Sequence, residues 1–392
     1  MDLRPDRRDE AFRAEVRAFV AANRFERTTH WKSANPDRDE AARWARRLDQ
    51  QGWMAPHWPV EWGGKGWAHR RIHILQEELC AAFCPEMDRI ALDLAGPAII
   101  HYGSAAQQQR YLPPILRGEE FWCQGFSEPQ AGSDVSLAQT RAELAGDTYT
   151  VNGTKIWITN AHIAHLMLAL VRVRAGGKAQ TGLSLLIIEM KQSGVRVRPV
   201  ITIDGGHVIN EVTLENVRVP RTNLIGEEGK GWTYARFVLS NERLMVAAIP
   251  HMKRDLAALA GIAARTACPG GMLESDPVFR RRFAALKVEL EALEFAMLRL
   301  LSLPQDDMGA AGLASTIKIR SAELRQAISE AAMEALGEPG LILDPDDLGA
   351  AKARPAHAFG VGRDFVFRRA ATIAGGTTEI QKNIIAALAL EM

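Results

Sequence analysis

The stretch DTYTVNGTKIWIT, at residues 147–159, has the strongest β-hairpin pattern in the chain. β-Branched and aromatic side chains alternate with polar ones on both sides of Asn152-Gly153, as they do in half-buried strands. An Asn-Gly pair suits the two left-handed positions of a type I′ turn. The stretch therefore predicts two antiparallel strands joined at Asn152-Gly153, and it places a β-rich region in the middle of the chain.

More strand-like runs surround this predicted hairpin. Near Phe121, alternation of β-branched and polar residues replaces the helical periodicity of the preceding sequence, and turn residues recur from there onward. The further runs are 166–173, 183–190, 195–201 and 211–219. Short strands of this kind predict a small antiparallel barrel or sandwich, which we assign to a central antiparallel β-domain at residues 121–230.

Helical periodicity occupies both ends of the chain. Before the β-domain it covers residues 8–120, apart from GWMAPHWPVEWGGKGW at 52–67, whose Gly, Pro and Trp content predicts a fixed loop. After the β-domain, periodic segments occur at 234–260, 278–303, 314–336 and about 378–390. The sequence thus predicts an α+β multidomain fold, with a helical N-terminal domain at 1–120 and a helical C-terminal domain at 231–392.

Charge and hydropathy narrow the range of partners. The 392 residues include 48 Lys plus Arg and 47 Asp plus Glu, so the net charge of +1 gives no general attraction for nucleic acid or an anionic membrane. No run approaches the ~20 apolar residues of a membrane span, and the first residues lack the apolar core of a signal peptide. We expect a cytoplasmic protein that binds neither nucleic acid nor a membrane.

The cysteines are Cys80, Cys84, Cys123 and Cys268, too few for a disulfide framework in a chain of this length. Cys80 and Cys84 would share one face of a helix, but no His or Cys pair nearby completes a metal-binding set. The sequence therefore predicts buried thiols and no metal site.

The segment GFSEPQAGSD, at residues 125–134, is the first candidate for chemistry. Its small residues let a ligand approach the backbone, and its hydroxyl and N–H groups can bind a flat heteroaromatic edge or a phosphate. The same residues are favoured in ordinary turns, so composition alone leaves both interpretations open.

Segments spread over essentially the whole chain resemble the acyl-CoA dehydrogenase family. They are GFSEPQAGSD at 125–134, VNGTKIWITNA at 151–161, ENVRVPRTNLIGEEGKGW at 215–232, NERLMVAA at 241–248 and IAGGTTEIQKNIIA at 373–386. The resemblance implies that the C-terminal domain is a four-helix bundle. It also implies an FAD molecule held between that bundle and the central β-domain.

The resemblance implies a set of ligand contacts as well. In relatives, the segment that matches residues 126–133 lines the flavin and the pantetheine of CoA, and the segment that matches Trp157 packs on the isoalloxazine ring. The implied FAD-binding residues are Phe126, Ser127, Gly132, Trp157, Ile158, Thr159, Gly376, Thr377 and Glu379. The implied substrate-binding residues are Ser133 and Arg243.

The catalytic base is where this chain departs from the medium-chain members of the family. Those members carry a Glu just before the Gly-Thr of the last motif, where this chain has Gly375. Isovaleryl-CoA dehydrogenases carry the Glu on the first long helix of the C-terminal domain, at the position that Glu242 matches. The resemblance thus implies Glu242 as the base, with the backbone N–H of Gly375 donating to the thioester oxygen. From composition alone, Glu242 would be an exposed helix carboxylate or a partner of Arg243 or Arg236.

The implied reaction is FAD-dependent α,β-dehydrogenation of an acyl-CoA thioester to the trans-2-enoyl-CoA, with electrons passed to an electron-transfer flavoprotein. Because the family shares cofactor contacts between subunits, a homodimer or homotetramer is expected.

Two alternative functions stay open at this point. One is a flavin oxidase or monooxygenase of the same fold, and the other is a non-catalytic or DNA-associated flavoprotein relative. The shape of the pocket decides which acyl group binds, and the motifs do not report that shape. GGTTEIQ with a helix Glu resembles members that act on bulky, branched, dicarboxylic or steroid side-chain acyl-CoAs.

Overall fold

The N-terminal part of the chain forms helices, as its periodicity predicts. The computed structural model describes residues 6–23, 38–174, 178–303, 308–343 and 360–389. The first helices are α1 (Arg7–Ala22), α2 (Arg38–Gln51), α3 (His69–Ala81), α4 (Gly96–Tyr102) and α5 (Ala105–Leu116). The Asp6 side chain accepts hydrogen bonds from the backbone N–H groups of Arg8 and Asp9 and so caps α1. Phe12 and Val16 form the buried face of this helix.

The Trp-rich segment at 52–67 is a fixed loop, which confirms the prediction. Trp58 is buried, and its indole Nε1 donates a hydrogen bond to the Leu92 carbonyl at 2.8 Å. Gly64 lies so close to this residue that a Cβ atom there would be 1.6 Å from the Trp58 carbonyl oxygen. The loop therefore packs into the N-terminal core instead of linking two domains.

The middle of the chain forms one sheet. Its strands are β1 (Trp122–Gly125), β2 (Arg141–Ala145), β3 (Thr148–Thr159), β4 (Leu166–Arg172), β5 (Leu183–Glu189), β6 (Val195–Val200), β7 (Ile209–Pro220) and β8 (Leu224–Ile225). The strand order is β6-β7-β3-β2-β4-β5-β8, and β1 also pairs with β4. Most pairs are antiparallel, as predicted, but β1 and β2 both run parallel to β4. Strands β4 and β5 are buried on both faces and form the centre of the domain.

The predicted hairpin at Asn152-Gly153 is wrong. Strand β3 continues through both residues, and β7 pairs with it from Thr148 to Thr159. The turn comes earlier, at Gly146-Asp147, where two residues join β2 to β3 and Gly146 takes a φ of 60°. Asn152-Gly153 instead lies at an irregularity in the β3–β7 ladder, where the Asn152 side chain accepts a hydrogen bond from the Asn216 backbone N–H at 2.8 Å.

The C-terminal part of the chain is helical, as predicted. The helices are α6 (Gly231–Ala247), α7 (Ile249–Ala263), α8 (Pro277–Leu301), α9 (Met308–Leu336), α10 (Val361–Phe367) and α11 (Thr378–Ala389). The segment at 234–260 is two helices rather than the single helix that its periodicity predicts, because Ala248 takes a left-handed φ of 49° and Pro250 begins the next helix. In the part of the chain that the structure describes, no helix is long and apolar enough to cross a membrane.

Charged residues join the N-terminal and C-terminal helices. Lys253 on α7 forms ion pairs with Glu77 on α3 and Glu294 on α8, and the His73 imidazole Nε2 lies 2.9 Å from the Glu294 carboxylate. Burial raises the pKa of Glu77, but His73 and Lys253 outweigh burial and hold that pKa well below its usual range. His73, Glu77 and Glu294 are close enough together to ligate a metal ion, but the ammonium of Lys253 already forms an ion pair with each carboxylate.

A buried ion pair connects the loop after β1 to strand β3. The Lys155 ammonium lies 2.8 Å from the Glu128 carboxylate and donates to the Leu170 carbonyl at 2.6 Å, and the Lys155 side chain has no solvent exposure. The Glu128 carboxylate also accepts the backbone N–H groups of Gln139 at 2.6 Å and Thr140 at 2.9 Å. Burial raises the pKa of Glu128, but Lys155 and these hydrogen bonds hold it below its usual range. Burial lowers the pKa of Lys155, and Glu128 opposes that shift.

Replacing Lys155 with Met should leave the Glu128 carboxylate buried without its counter-ion. We expect this to lower the free energy of unfolding by about 3–5 kcal/mol, measured by urea denaturation. Lys155→Met combined with Glu128→Gln should lower the free energy of unfolding by less than the two single changes added together, because no unpaired charge is left.

The effect of Glu128→Gln should depend on pH, because the pKa of Glu128 is lower in the folded than in the unfolded protein. The loss of unfolding free energy caused by this variant should therefore shrink as the pH falls below 4.5.

The matched control is Arg196→Met, which breaks the exposed ion pair between Arg196 and Glu215. Exposed pairs contribute at most about 1 kcal/mol, so this variant should unfold at nearly the wild-type urea concentration. A Lys155→Met protein as stable as the Arg196→Met control would contradict the assigned role of the buried pair.

Candidate active site

The structure brings two of the predicted site segments together. The Ile156 backbone N–H on β3 donates to the Ser127 carbonyl at 3.0 Å. The Lys155 ammonium donates to the Phe126 carbonyl at 3.3 Å. The loop at 126–134 is therefore held against the end of β3 by backbone and side-chain hydrogen bonds. Sequence reasoning named Phe126 and Ser127 here but missed Lys155 and Glu128, the residues that fix their positions.

Trp157 protrudes from the end of β3. It takes a left-handed φ of 64° at a bulge between Lys155 and Ile158, and 60% of its surface is exposed. Positive φ is uncommon for a bulky side chain and persists only where the surroundings impose it. The buried amide of Asn210 imposes it here in part, since it donates to the Ile158 carbonyl at 3.0 Å. The bulge turns a large aromatic ring outward while Ile158 anchors the strand in the core.

Asn210 is itself held in a small polar cluster. Its amide nitrogen lies 3.1 Å from His162 Nδ1, and its amide oxygen lies 2.8 Å from His207 Nε2. The rings of His162 and His207 stack with centroids 4.0 Å apart. Thr159, the last residue of β3, is half-buried and pairs with Ile209. The cluster fixes the backbone on both strands beside Trp157.

The tip of the loop at 126–134 faces open space. A Cβ atom on Gly132 would meet no other atom within 4 Å, and Ser133 is exposed. Asp134 ends the loop, because its carboxylate accepts the backbone N–H of Ser136 at 3.0 Å and caps the following helical turn. A ligand can therefore approach the backbone at Gly132 and Ser133 from the solvent side of the loop.

The glycines before α11 form a second fixed loop. Gly375 and Gly376 take φ values of 67° and 89°, and the Gln381 side chain donates to the Gly375 carbonyl at 3.3 Å. Thr377 accepts the Ile380 backbone N–H at 3.2 Å and caps the helix. The pKa of Glu379, in the first turn, is lowered by its own backbone N–H and by the Thr377 hydroxyl. A helix N-terminus with an open glycine loop favours an anionic ligand.

Helix α6, which carries Glu242 and Arg243, contacts all three domains. It packs on β4 and β5 of the sheet, on α4 of the N-terminal domain and on α9 of the C-terminal domain. A Cβ atom on Gly231, its first residue, would lie 2.5 Å from the Ser184 backbone, so only glycine permits this approach to β5. Helix α11 also packs on α9. The side chains of Glu242 and Arg243 lie outside what the structure describes.

The site residues thus fall into two groups. One group lies where β3 meets the loop after β1: Phe126 and Ser127 are bonded to the strand that carries Trp157, Ile158 and Thr159, and Gly132 and Ser133 lie farther along the same loop. Gly375, Gly376, Thr377 and Glu379 lie together at the start of α11. Within the described ranges, no hydrogen bond joins one group to the other, and α6 and α9 are the helices through which they connect.

Comparison with known proteins gives the same domain order. The family models described as the N-terminal, middle and C-terminal domains of acyl-CoA dehydrogenase match residues 6–119, 123–217 and 229–390. Acyl-CoA dehydrogenase IpdE1 of Mycobacterium tuberculosis is 33% identical over 386 residues, which cover 96% of either chain. The human mitochondrial short-chain specific acyl-CoA dehydrogenase is 28% identical over 350 residues, or 87% of this chain and 81% of that protein.

Solved structures agree with these matches. The steroid acyl-CoA dehydrogenase Tcur3481-Tcur3483 superposes with a TM-score of 0.82 at 26% identity, covering 100% of this chain and 99% of that one. The ChsE4-ChsE5 complex of Mycobacterium tuberculosis gives a TM-score of 0.82 at 27% identity, with the same coverage. With its helical, β and helical domains in this order, the chain belongs to the acyl-CoA dehydrogenase family of oxidoreductases.

Proposed function

We propose that this chain catalyses the FAD-dependent α,β-dehydrogenation of an acyl-CoA thioester to the trans-2-enoyl-CoA. The observation that carries the proposal is Trp157, an exposed indole at a strained backbone position that Asn210 and the β3 bulge maintain. Strain of this kind points to a function beyond folding. The family resemblance supports the proposal, because the matching segment of relatives packs on the isoalloxazine ring.

The chain offers suitable surroundings for FAD. Phe126 and Ser127 are fixed next to the strand end that carries Trp157, and the backbone at Gly132, farther along the same loop, is open to a ligand. The capped start of α11, with Thr377 and Glu379 in its first turn, suits the diphosphate end of the cofactor. FAD, when bound, supplies the acceptor for the β-hydride of the substrate.

Two groups of the chain act on the acyl thioester in this proposal. The Glu242 carboxylate removes the α-proton, and the Gly375 backbone N–H donates to the thioester oxygen as negative charge develops there. The left-handed φ of Gly375 supports the second role, because glycine adopts it without strain and leaves the N–H unobstructed. Arg243, next to the base, is assigned to binding the substrate.

The acyl group is proposed to be bulky and ring-containing. The support comes from relatives: one of the solved structures that match over the full chain is titled a steroid acyl-CoA dehydrogenase. A large pocket should still bind straight acyl chains, because the apolar contacts that they fail to make cost only about 1–3 kcal/mol. A small pocket should exclude ring-containing acyl groups altogether. Selectivity within a panel of substrates therefore reports the pocket size.

Anaerobic mixing with acyl-CoAs tests this function. The purified protein should carry noncovalent FAD, and a steroid side-chain acyl-CoA should bleach the flavin absorbance faster than butyryl- or palmitoyl-CoA. A folded protein that takes up no added FAD would contradict the flavin assignment. Bleaching by a straight-chain substrate alone would leave the reaction in place but overturn the proposed substrate class.

The same assay separates binding from chemistry at Glu242. Glu242→Gln removes the proton acceptor but keeps side-chain size, so flavin reduction should slow by about 10²–10⁴-fold while FAD and acyl-CoA still bind. The control is Glu291→Gln, an exposed carboxylate on α8 that should reduce flavin at the wild-type rate. Wild-type reduction by Glu242→Gln would show that another residue is the base.

The reduced protein is proposed to pass its electrons to an electron-transfer flavoprotein. A flavin oxidase of the same fold would instead return electrons to oxygen. Admitting air to substrate-reduced protein distinguishes the two: slow recolouring in air and fast recolouring with electron-transfer flavoprotein support the dehydrogenase. Complete recolouring by oxygen within one turnover would favour the oxidase.

We also propose a homodimer or homotetramer. Helix α8 exposes an apolar stripe at Ala285, Val288, Ala292 and Phe295, spaced so that all four lie on one face. Val288 is 66% and Phe295 49% exposed, and such a patch is typical of a surface that a second subunit covers.

Light scattering should give two or four times the chain mass of 43.2 kDa. Phe295→Asp with Val288→Asp should lower that mass, while Lys287→Asp, beside the stripe on the same helix, should leave it unchanged. A wild-type mass of a single chain would contradict the assembly. An unchanged mass in the double variant would show that the stripe is not the contact.

A further inference from the structure

A cysteine, a histidine and a glutamate meet where the N-terminal domain contacts the C-terminal helices. Cys80 lies near the end of α3, His251 lies in the first turn of α7, and α3 packs on α7. The Cys80 sulfur is 3.8 Å from both ring nitrogens of His251, and His251 Nε2 is 3.2 Å from the Glu86 carboxylate. None of the three belongs to the candidate active site.

The charges around Cys80 favour its thiolate. Burial raises the pKa of the Cys80 thiol, but His251, Arg254 and Arg89 outweigh burial and hold that pKa below its usual range. Burial lowers the pKa of His251, with Arg254 and Arg325 adding to this, and the thiolate opposes them. The Glu86 carboxylate lies within hydrogen-bonding distance of His251 Nε2 and forms an ion pair with the ring when the ring is protonated.

Cys80 is partly exposed, so the predicted buried thiol is wrong at this position. His251 and Glu86 beside it are also only partly buried, with side-chain exposures of 20% and 31%. Cys123 contrasts with this arrangement, because it is fully buried and burial raises the pKa of its thiol. A partly exposed thiol whose thiolate is stabilised by cations is the combination found at reactive cysteines, whereas buried structural cysteines are inert.

We propose that Cys80 is a modification site for small soft oxidants, hydroperoxides above all, activated by His251 with Glu86 as the residue that positions the imidazole. The sulfur attacks one peroxide oxygen, so an S–O bond forms as the O–O bond breaks. The proton of the thiol, taken up by the His251 imidazole, passes to the leaving oxygen. The sulfur is oxidised by two electrons to a sulfenic acid, and hydrogen peroxide is reduced to water.

The position of Cys80 couples this chemistry to the contact between domains. The α3–α7 contact also contains the ion pair between Lys253 and Glu77. A sulfenic acid, or a mixed disulfide formed from it, adds bulk and polarity at that contact. The modification would therefore act on domain packing and not on the acyl-CoA site itself, so it stands independently of the proposed reaction.

The test compares cysteines within one chain. Purified protein with its cofactor is treated with iodoacetamide at several pH values, and the labelling rate of each cysteine is followed by mass spectrometry of its peptide. At pH 6.5, Cys80 should react at least about tenfold faster than Cys268, the partly exposed cysteine of the β-ribbon after α7. Hydrogen peroxide in the presence of dimedone should label Cys80 first.

Variants of His251 and Glu86 test whether these residues activate the Cys80 thiol. His251→Gln should lower the Cys80 rate about tenfold and move its pH profile upward, while the Cys268 rate stays constant. Glu86→Gln should lower the Cys80 labelling rate by a smaller factor. Because Glu86 is more exposed, this variant still tests the proposal if the His251 variant fails to fold. Cys80→Ser should abolish the dimedone adduct. Cys80 that reacts no faster than Cys268, or that keeps its rate and pH profile in both variants, would overturn the proposal.

Discussion

The buried ion pair between Lys155 and Glu128 is the contact on which the rest of the site depends. Taking two charges out of water costs several kcal/mol per ion, so the pair persists only because each charge is fully satisfied. Lys155 donates to two backbone carbonyls and to the carboxylate, and Glu128 accepts two backbone N–H groups as well. The pair adds little net stability but fixes one geometry, because any displacement leaves a buried charge unsatisfied.

That geometry sets the position of Trp157. Within β3, Tyr149, Val151 and Lys155 point into the domain, and a regular strand would point Trp157 the same way. The bulge after Lys155 adds a residue, so that Ile158 takes the inward place and the indole turns outward. The loop at 126–134 is hydrogen-bonded through Phe126 and Ser127 to the same end of the strand.

The sequence alone predicts the domain order and most helices and strands, because periodicity reflects burial directly. It misplaces the hairpin at Asn152-Gly153, since pairing with the whole length of β7 overrides a local turn preference. It misses Lys155 and Glu128 because charged residues in strands and loops are usually exposed. The sequence does contain a weak indication for Lys155, because it lies an even number of positions after Tyr149 and Val151, which point inward. The break at Ala248 does have a signal, because Pro250 suits the first turn of a new helix, but the apolar periodicity continues across it.

The proposed catalytic groups, Glu242 and Gly375, lie on separate elements of the C-terminal domain. Glu242 is on α6 and Gly375 is in the loop before α11, and both helices pack on α9. Gly375 keeps the backbone of the α11 loop in a left-handed conformation in which a side chain would be strained. A base on α6 therefore complements a glycine at the loop, and the two assignments support each other.

We propose that the Lys155–Glu128 pair organises the FAD site, and the FAD dissociation constant of Lys155→Met measures this role. Flavin fluorescence, titrated at a temperature where the variant keeps its wild-type circular dichroism, gives that constant. Lys155→Met should bind FAD at least about tenfold more weakly than Arg196→Met, equivalent to about 1.4 kcal/mol. A folded Lys155→Met protein that binds FAD as tightly as the control would contradict the claim.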